Sequence, residues 1–319
     1  MNTAKRVIVF TGDEDPMWPF LLEACSAEER SRIVLFSTNQ PREANCSYRP
    51  LENSVRFSIG SEVIEGEDIQ SVWLRRSVPP TLDHFSQELR QYCETEYGDF
   101  FEGIQFAMQD ALWVSQPSAI ARARNKALQL RLAQDVGFRV LPTMFTNSPD
   151  DLTAYIREGP TIYKSIRSPR VPMDENMNST VFTTMLDDKM DVDRSGIMSC
   201  PGILQKFCKK ESDIRISVFG EKLFAVRIES QTKELSRVDF RRGAKHLRHT
   251  HHELPEAVHD LCLALVKRLN LKYGAIDLAL LDDGSYVFFE INPNGQWGWI
   301  EQQLGIPMRR ALLDMLFLK

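Results

Sequence analysis

The sequence predicts a mixed α/β chain in three parts: a βαβ opening, a helix-led centre and a C-terminal body built on an antiparallel sheet. Three observations carry this reading. RVIVFTG (Arg6 to Gly12) and SRIVLFS (Ser31 to Ser37) are short apolar strands separated by a helical segment. DIRISVFGEKLFAVRIES (Asp213 to Ser230) alternates on both sides of a turn at Gly220 and Glu221, which predicts an antiparallel hairpin. YGAIDLALL (Tyr273 to Leu281) and FFEINPNG (Phe288 to Gly295) flank the turn residues Asp282, Asp283, Gly284 and Ser285 and predict a second hairpin.

The elements between these follow in order. The opening lacks GxGxxG, so a dinucleotide site is not supported. A third strand, IQSVWLRR, ends in Arg75 and Arg76, and the run from about Leu82 to Leu112 is helix-compatible until Pro117 and Ser118 close it. IARARNKALQLRLAQDV (Ile120 to Val136) has good helix formers at nearly every position and Gly137 as a stop, so one helix is expected there. Another starts at Ser148 as N-cap, with Pro149 in its first turn, Asp150 and Asp151 at its positive end and Gly159 past its last turn. TIYKSIR (Thr161 to Arg167) is a β-rich segment in which Ile162, Lys164 and Ile166 share a side. A lysine on a core side needs an anion. The stretch from Ser168 to Gly196 is polar, with a short strand at VFTTML and a helical turn around Asp187 to Arg194, and ILQKFC (Ile203 to Cys208) follows. A helix from about Pro255 to Leu269 precedes the second hairpin, and the Met and Phe residues of MRRALLDMLFL (Met308 to Leu318) have helical spacing and read as core. The expected domains are 1–117, 118–200 and 201–319.

Composition excludes several classes. At 319 residues, with 43% hydrophobic and 26% charged residues, the chain is of globular type, and no apolar run approaches bilayer length. A net charge of −5 argues against nonspecific nucleic-acid binding, which leaves a strongly basic footprint. Cys25, Cys46, Cys93, Cys200, Cys208 and Cys262 are scattered, with no CxxC pair, so neither a disulfide framework nor a zinc ribbon is expected. The chain reads as a reduced, cytoplasmic protein that binds neither nucleic acid nor membrane. His246, His249, His251 and His252 crowd one short run, but no acid or cysteine stands at ligand spacing beside them, so a mobile basic loop is expected.

The chemistry gathers near the C-terminus. Alternate strand residues share a face, so Glu290 and Asn292 project together while Phe289 and Ile291 turn to the other side. The hairpin brings Asp277 beside Glu290. Three oxygen-bearing side chains then converge in apolar surroundings, where unpartnered carboxylates would cost on the order of several kcal/mol. A cation or a set of donors is therefore expected there.

In order along the chain, SVWLRR, ARNKALQLRLAQDVGF, SDIRISVFGEKLF, VDFRR, LNLKYGAIDLALL and FFEINPNGQWGWIE resemble the ATP-grasp superfamily, and within it the graspetide macrocyclases, the microviridin-type peptide ligases. The matching stretches run from about residue 71 to residue 301. The resemblance implies an ATP-grasp fold: an N-terminal βαβ domain, a central domain and a C-terminal antiparallel-sheet domain. It implies an ADP-forming ligase that uses ATP and magnesium to phosphorylate Asp or Glu side chains of a ribosomal precursor peptide. A Ser or Thr hydroxyl, or less readily a Lys amine, then closes an ω-ester or ω-amide ring.

Carried over to this sequence, Lys126 and Lys164 reach the nucleotide phosphates, Gln205, Lys206, Phe207 and Cys208 form the hinge whose backbone contacts the adenine, and Glu211 or Asp213 holds the ribose. Glu211 is favoured for the ribose, and Asp213 has the alternative of orienting Arg215, with which it alternates on one face. Asp277, Glu290 and Asn292 suit magnesium, a hard cation that takes carboxylates with phosphate oxygens and waters. Arg215 and Arg241, with Asp239, belong to the carboxylate being activated, because a guanidinium matches that geometry. Arg75 and Arg76 match a family motif that would support the site from the N-terminal domain, with a solvated strand end as the plainer alternative. Asp187, Asp188, Asp191 and Asp193 offer carboxylates to the leader of the precursor, with a solvated acidic turn as the plainer alternative. Related enzymes also suggest a homodimer. Two rival readings stand beside this one: a ligase adding an amino acid to a protein or peptide terminus, and a non-catalytic nucleotide-binding regulatory module.

Overall fold

In the computed structural model, residues 5–40, 43–76, 78–167, 170–174, 177–187, 193–243 and 246–319 are described. The N-terminal part contains β1 (Arg6–Thr11), α1 (Met17–Leu22), α2 (Ala27–Arg32), β2 (Ile33–Ser37), a meander β3 (Ala44–Arg49), β4 (Ser54–Ile59) and β5 (Glu62–Glu65), then β6 (Ile69–Leu74), α3 (Gln87–Ala107) and β7 (Leu112–Val114). Strands β2, β1, β6 and β7 form a parallel sheet in that order, as the βαβ opening requires. The meander is a separate antiparallel sheet that the sequence reading did not assign. It packs with α3 on one face of the parallel sheet, where Phe10, Phe36, Phe57, Phe101 and Trp113 form an aromatic core.

The expected helix from Ile120 to Val136 is two helices, α4 (Pro117–Ala123) and α5 (Lys126–Val136). Asn125 takes extended backbone geometry, and its side chain accepts from the Leu128 amide, which caps α5 afresh. Gln129, buried, then donates to the freed carbonyl of Ala123 (2.6 Å) and exchanges two hydrogen bonds with the Ile291 backbone. Helix propensity was satisfied on both sides of the break, and a cap with a buried amide behind it decided the interruption. Pro117, expected to close a helix, instead stands in the first turn of α4.

After β8 (Arg139–Val140) comes a second body: β9 (Thr143–Thr146), α6 (Pro149–Arg157), β10 (Thr161–Lys164), β11 (Arg170–Asp174), β12 (Met177–Thr180), β13 (Thr184–Leu186), α7 (Arg194–Ser199) and β14 (Gly202–Lys206). Its sheet has the order β13-β10-β14-β9, so the boundary expected at 200 and 201 falls just before a strand of this central sheet. Of the helical turn expected around Asp187 to Arg194, residues 188–192 lie outside the described residues, and α7 begins at Arg194.

The third body is the sheet of β15 (Ser212–Phe219), β16 (Lys222–Ile228), β17 (His249–His251), β18 (Tyr273–Leu280) and β19 (Tyr286–Asn292), joined by β8 in the order β17-β16-β15-β18-β19-β8. Helices α4, α5 and α8 (Glu256–Arg268) pack on one face around Ile214, Ile276, Leu265 and Phe288. The histidine run expected as a loop contributes β17, an edge strand paired with β16. Helices α9 (Gly298–Leu304) and α10 (Met308–Leu316) fill the space between this sheet and the N-terminal one. There Val7, Val9 and Trp73 share a core with Phe219, Tyr273, Trp297 and Leu312. Each fully buried leucine there contributes roughly 1.5–3 kcal/mol, so the N-terminal body is fixed against the large sheet. Arg75 is held in place by this docking.

Candidate active site

A cavity of about 610 Å³ opens between the central sheet and the large sheet. Of the residues expected to act, it is lined by Lys126, Lys164, Phe207, Cys208, Asp213, Arg215, Asp239, Arg241, Asp277, Glu290 and Asn292. Their convergence follows from strand register. Arg215 on β15 faces Asp277 on β18, and Asp277 faces Glu290 on β19, so three charged side chains stand side by side across adjacent strands. A β-bulge after Asp277 pairs Leu278 with Phe288 and leaves Phe289 as the extra residue. Phe289 therefore lines the cavity beside Glu290 instead of turning to the opposite side as strict alternation predicted.

Each carboxylate has a cation. Arg215 Nη1 donates to both oxygens of Asp277 (2.9 and 2.8 Å), and its Nη2 donates to the Gln296 carbonyl. Lys126 Nζ lies 3.1 Å from Glu290 Oε2 and also donates to the Ser165 carbonyl. Asp239 takes the Arg241 guanidinium through Nε (2.8 Å) and Nη2 (2.5 Å), and also accepts from the backbone amides of Thr183 and Arg241. Lys210 Nζ donates to Asp213 Oδ1 at 2.7 Å, with both side chains buried. The donors expected around the buried acids are thus lysines and arginines of the chain itself. Lys210 is one that the sequence did not reveal, since KKES resembles any polar turn.

Electrostatics separate these groups. Burial works to raise the Glu290 carboxyl, and Lys126 and Lys164 outweigh it, so Glu290 is held below its ordinary range. Burial raises Asp277, against Arg215 and with help from Glu290, and leaves it above the ordinary carboxylate value. Arg215 is shifted up, its burial overcome by Asp277. The short contact of one guanidinium nitrogen with both Asp277 oxygens is that of an ionised pair. Asp239 is held low because the Arg241 contacts overcome its burial. Burial lowers Lys164 to about 8. Its ammonium donates to Gln205 Oε1 (2.9 Å), sits over the Phe289 ring and makes no ion pair among the described residues.

Several assignments change. Asp213 does not orient Arg215: its carboxylate is turned to Lys210, and Asp277, directly in register, does the orienting. Glu211 does not line the cavity; it pairs with Arg227 at 2.6 Å, which leaves Asp213 as the acid on the cavity side. The expected hinge contact is one of backbone; the Lys206 side chain itself points away, with Nζ donating to the Tyr155 carbonyl and lying over the Tyr155 ring. Gln205 is buried beneath Lys164 and tied to Thr143, so it positions the lysine. Arg75 is buried, with Nε 3.5 Å from Asp15 and Nη1 donating to the Asn294 carbonyl, whereas exposed Arg76 lines the cavity. The supporting part expected of the pair falls to Arg75. Gly295 is needed where it is: a Cβ there would stand 2.4 Å from Ala275 Cβ and 2.8 Å from Arg215 Nη2. Of the four aspartates expected at the leader, Asp187 and Asp193 are exposed, while Asp188 and Asp191 lie outside the described residues.

The donor set tests what cation could be held. Among the described residues no three His, Cys, Asp or Glu side chains form a metal cluster. Asp277, Glu290 and Asn292 supply two carboxylates and an amide oxygen, all on the cavity wall, which fits a hard divalent cation that keeps waters and phosphate oxygens as further ligands.

A family model described as a RimK-like ATP-grasp domain matches residues 121–316. The chain belongs to this family. Its fold is the ATP-grasp fold anticipated above, and it is an ATP-grasp ligase. No curated relative matches the sequence. Among solved structures, the chain is similar to a Chryseobacterium gregarium RiPP-associated ATP-grasp ligase in complex with ADP and a leader and core peptide (TM-score 0.87, 21% identity, 98% of this chain and 96% of that one). It is similar to the macrocyclase MdnC of Microcystis aeruginosa MRC bound with precursor peptide MdnA (0.85, 23%, 98% and 100%). It is also similar to the ATP-grasp ligase PsnB complexed with a phosphomimetic minimal precursor, Mg and ADP (0.78, 20%, 98% and 98%).

Proposed function

We propose that this ligase is an ADP-forming macrocyclase that joins side chains of a ribosomal precursor peptide. In this reading ATP phosphorylates an Asp or Glu carboxylate, and a Ser or Thr hydroxyl displaces phosphate to give an ω-ester; closure by a Lys amine to an ω-amide is the less favoured outcome. The observation that carries the proposal is the division of the cavity's cations into two sets. Lys126 and Lys164 stand over Glu290, and Arg215 and Arg241 are held by Asp277 and Asp239. The first set suits nucleotide phosphates. The second presents guanidinium groups fixed by acids, which suits a second, carboxylate-bearing substrate and the acyl phosphate formed from it.

Magnesium held by Asp277, Glu290 and Asn292 would offset charge on the transferring phosphoryl group. The chain's own residues do the rest. Gln205 and Phe289 hold Lys164 toward the phosphates, Asp239 aims Arg241, and Asp277 with the Gln296 carbonyl aims Arg215. Phe207 and Cys208 line the wall where adenine would lie, with Asp213 nearer the ribose. Support from relatives is that similar ligases were solved with ADP, magnesium and precursor peptides. The leader would dock at the central body near Asp187 and Asp193, a placement carried over from the resemblance.

The test is incubation with ATP, magnesium and Thr- and Glu-rich candidate peptides encoded beside the gene. The expected result is ADP release with loss of one water from the peptide per ring. AMP release, or a mass gain by one amino acid, would overturn the proposal; the mass gain would instead support terminal ligation.

A further inference from the structure

Ring closure through a hydroxyl requires a group that accepts its proton, and the cavity restricts which side chain that is. Among the described residues every acid on its wall is engaged by a cation: Asp213 by Lys210, Asp239 by Arg241, Asp277 by Arg215 and Glu290 by Lys126. Burial pushes the Cys208 thiol up, so it is a thiol and not a thiolate at neutral pH. Lys164 lacks an ion pair among the described residues, but it is held toward the nucleotide phosphates, which favour its charged form, and the arginines of the wall stay charged; the side chain left to accept a proton is the imidazole of His249.

His249 is well placed for that role. It lies on β17, at the edge of the sheet that carries Arg215 and Asp277, and it lines the same cavity as Arg241. Its ring packs against Trp299 in an edge-on arrangement, with centroids 4.9 Å apart. Gln303, one turn further along α9, also lines the cavity and hydrogen-bonds the ring. An imidazole that donates one N–H to an amide oxygen keeps its other nitrogen as an acceptor. Burial holds it below its ordinary pKa, so the acceptor form prevails at neutral pH.

From this constellation we infer that His249 is the proton acceptor for the attacking hydroxyl, with Trp299 and Gln303 as its positioning residues. The inference rests on the ring-forming function proposed above. In the step, the hydroxyl proton passes to the free ring nitrogen as the hydroxyl oxygen bonds to the acyl carbon. The bond from that carbon to the phosphate oxygen breaks, and inorganic phosphate leaves with its electron pair. The imidazolium then returns its proton to phosphate or solvent. No carboxylate is activated by His249, so phosphorylation of the peptide does not depend on it.

The experiment separates activation from closure. Wild type, His249→Gln and His249→Asn are given ATP, magnesium and the Thr- and Glu-rich peptide that wild type cyclises, with and without hydroxylamine, which traps acyl phosphate as hydroxamate. Hydroxamate formation should persist in both variants within a few-fold of wild type. Ring closure should fall by roughly 10²-fold or more, the range general-base catalysis supplies. Ring closure at the wild-type rate overturns the assignment. So does a parallel fall of hydroxamate and ring in both variants, which would mark His249 as part of the cavity's framework. Failure of the underlying function would show in wild type itself, as no ATP-dependent loss of water from any peptide.

Discussion

Arg215 and Asp277 sit directly opposite one another on neighbouring strands, and one guanidinium nitrogen reaches both carboxylate oxygens at 2.9 and 2.8 Å. The acid expected to serve a metal thus also fixes the arginine expected to serve a carboxylate. Arg215→Lys keeps the charge but cannot reach Asp277 and the Gln296 carbonyl together. Peptide-dependent ADP release should drop by roughly 10²-fold or more, with the melting temperature nearly unchanged. Turnover within a few-fold of wild type would sink this role.

Glu290→Gln removes the charge that Lys126 and Lys164 face while keeping the volume of the side chain. Turnover should be abolished and the far-ultraviolet circular dichroism retained. Full activity in this variant would show that the proposed metal set is wrong.

Gly295→Ala places a methyl group against Ala275 and the end of Arg215. Arg215 must then move, because the Ala275 side leaves no room for the new atom. We expect a loss of turnover comparable to that of Arg215→Lys, with ATP affinity less affected, checked by nucleotide titration beside steady-state kinetics.

Lys164 titrates near 8 because it is buried. Bound phosphate favours its charged form, so nucleotide affinity should be flat below that pH and weaken as pH rises through it, by up to about tenfold per unit. Calorimetric titration from about pH 7 to pH 9.5 reads this, with proton uptake expected on binding. Lys164→Met should remove the slope; a slope that survives in the variant assigns it to another group.

Glu29, buried, accepts from Arg310 and Lys319 at the other end of the chain and closes the cap of α2 with Ser26. Arg310, above all, holds its carboxyl down at about 2. A depressed acid contributes stability that is complete above its unfolded value of 4.5 and fades as pH falls toward 2. Allowing for half-exposed Arg310 and Lys319, Glu29→Gln should cost about 2 kcal/mol at neutral pH and flatten the acid limb between those values. Equal melting curves at pH 7 would contradict it.

The hairpin that pairs Asp277 with Glu290 was legible because two apolar strands and a four-residue turn leave little freedom in register, and the βαβ opening was legible from its apolar strands. The meander from Ala44 to Glu65 was not: ANCSYR and SVRFSI alternate, but small and polar residues dilute their apolar character and no apolar run marks them as strands. The break at Asn125 escaped notice because every residue around it forms helix well, and the amide of Gln129 that stabilises the break reaches a strand 162 residues away.

By itself, the sequence determined the three-part α/β order, the strands that carry Lys164, Arg215, Asp277 and Glu290, and the family resemblance. Local periodicity encodes these, since each depends on neighbours along the chain. Which acid holds which cation was decided only by the tertiary structure. Arg215 went to Asp277 because cross-strand register brings them within 3 Å, and Asp213 turned to Lys210, three residues before it at the entry to the strand, which takes it away from Arg215. The same holds for Phe289, turned into the cavity by a bulge, and for His249, which reaches the cavity because β17 adds to the sheet edge.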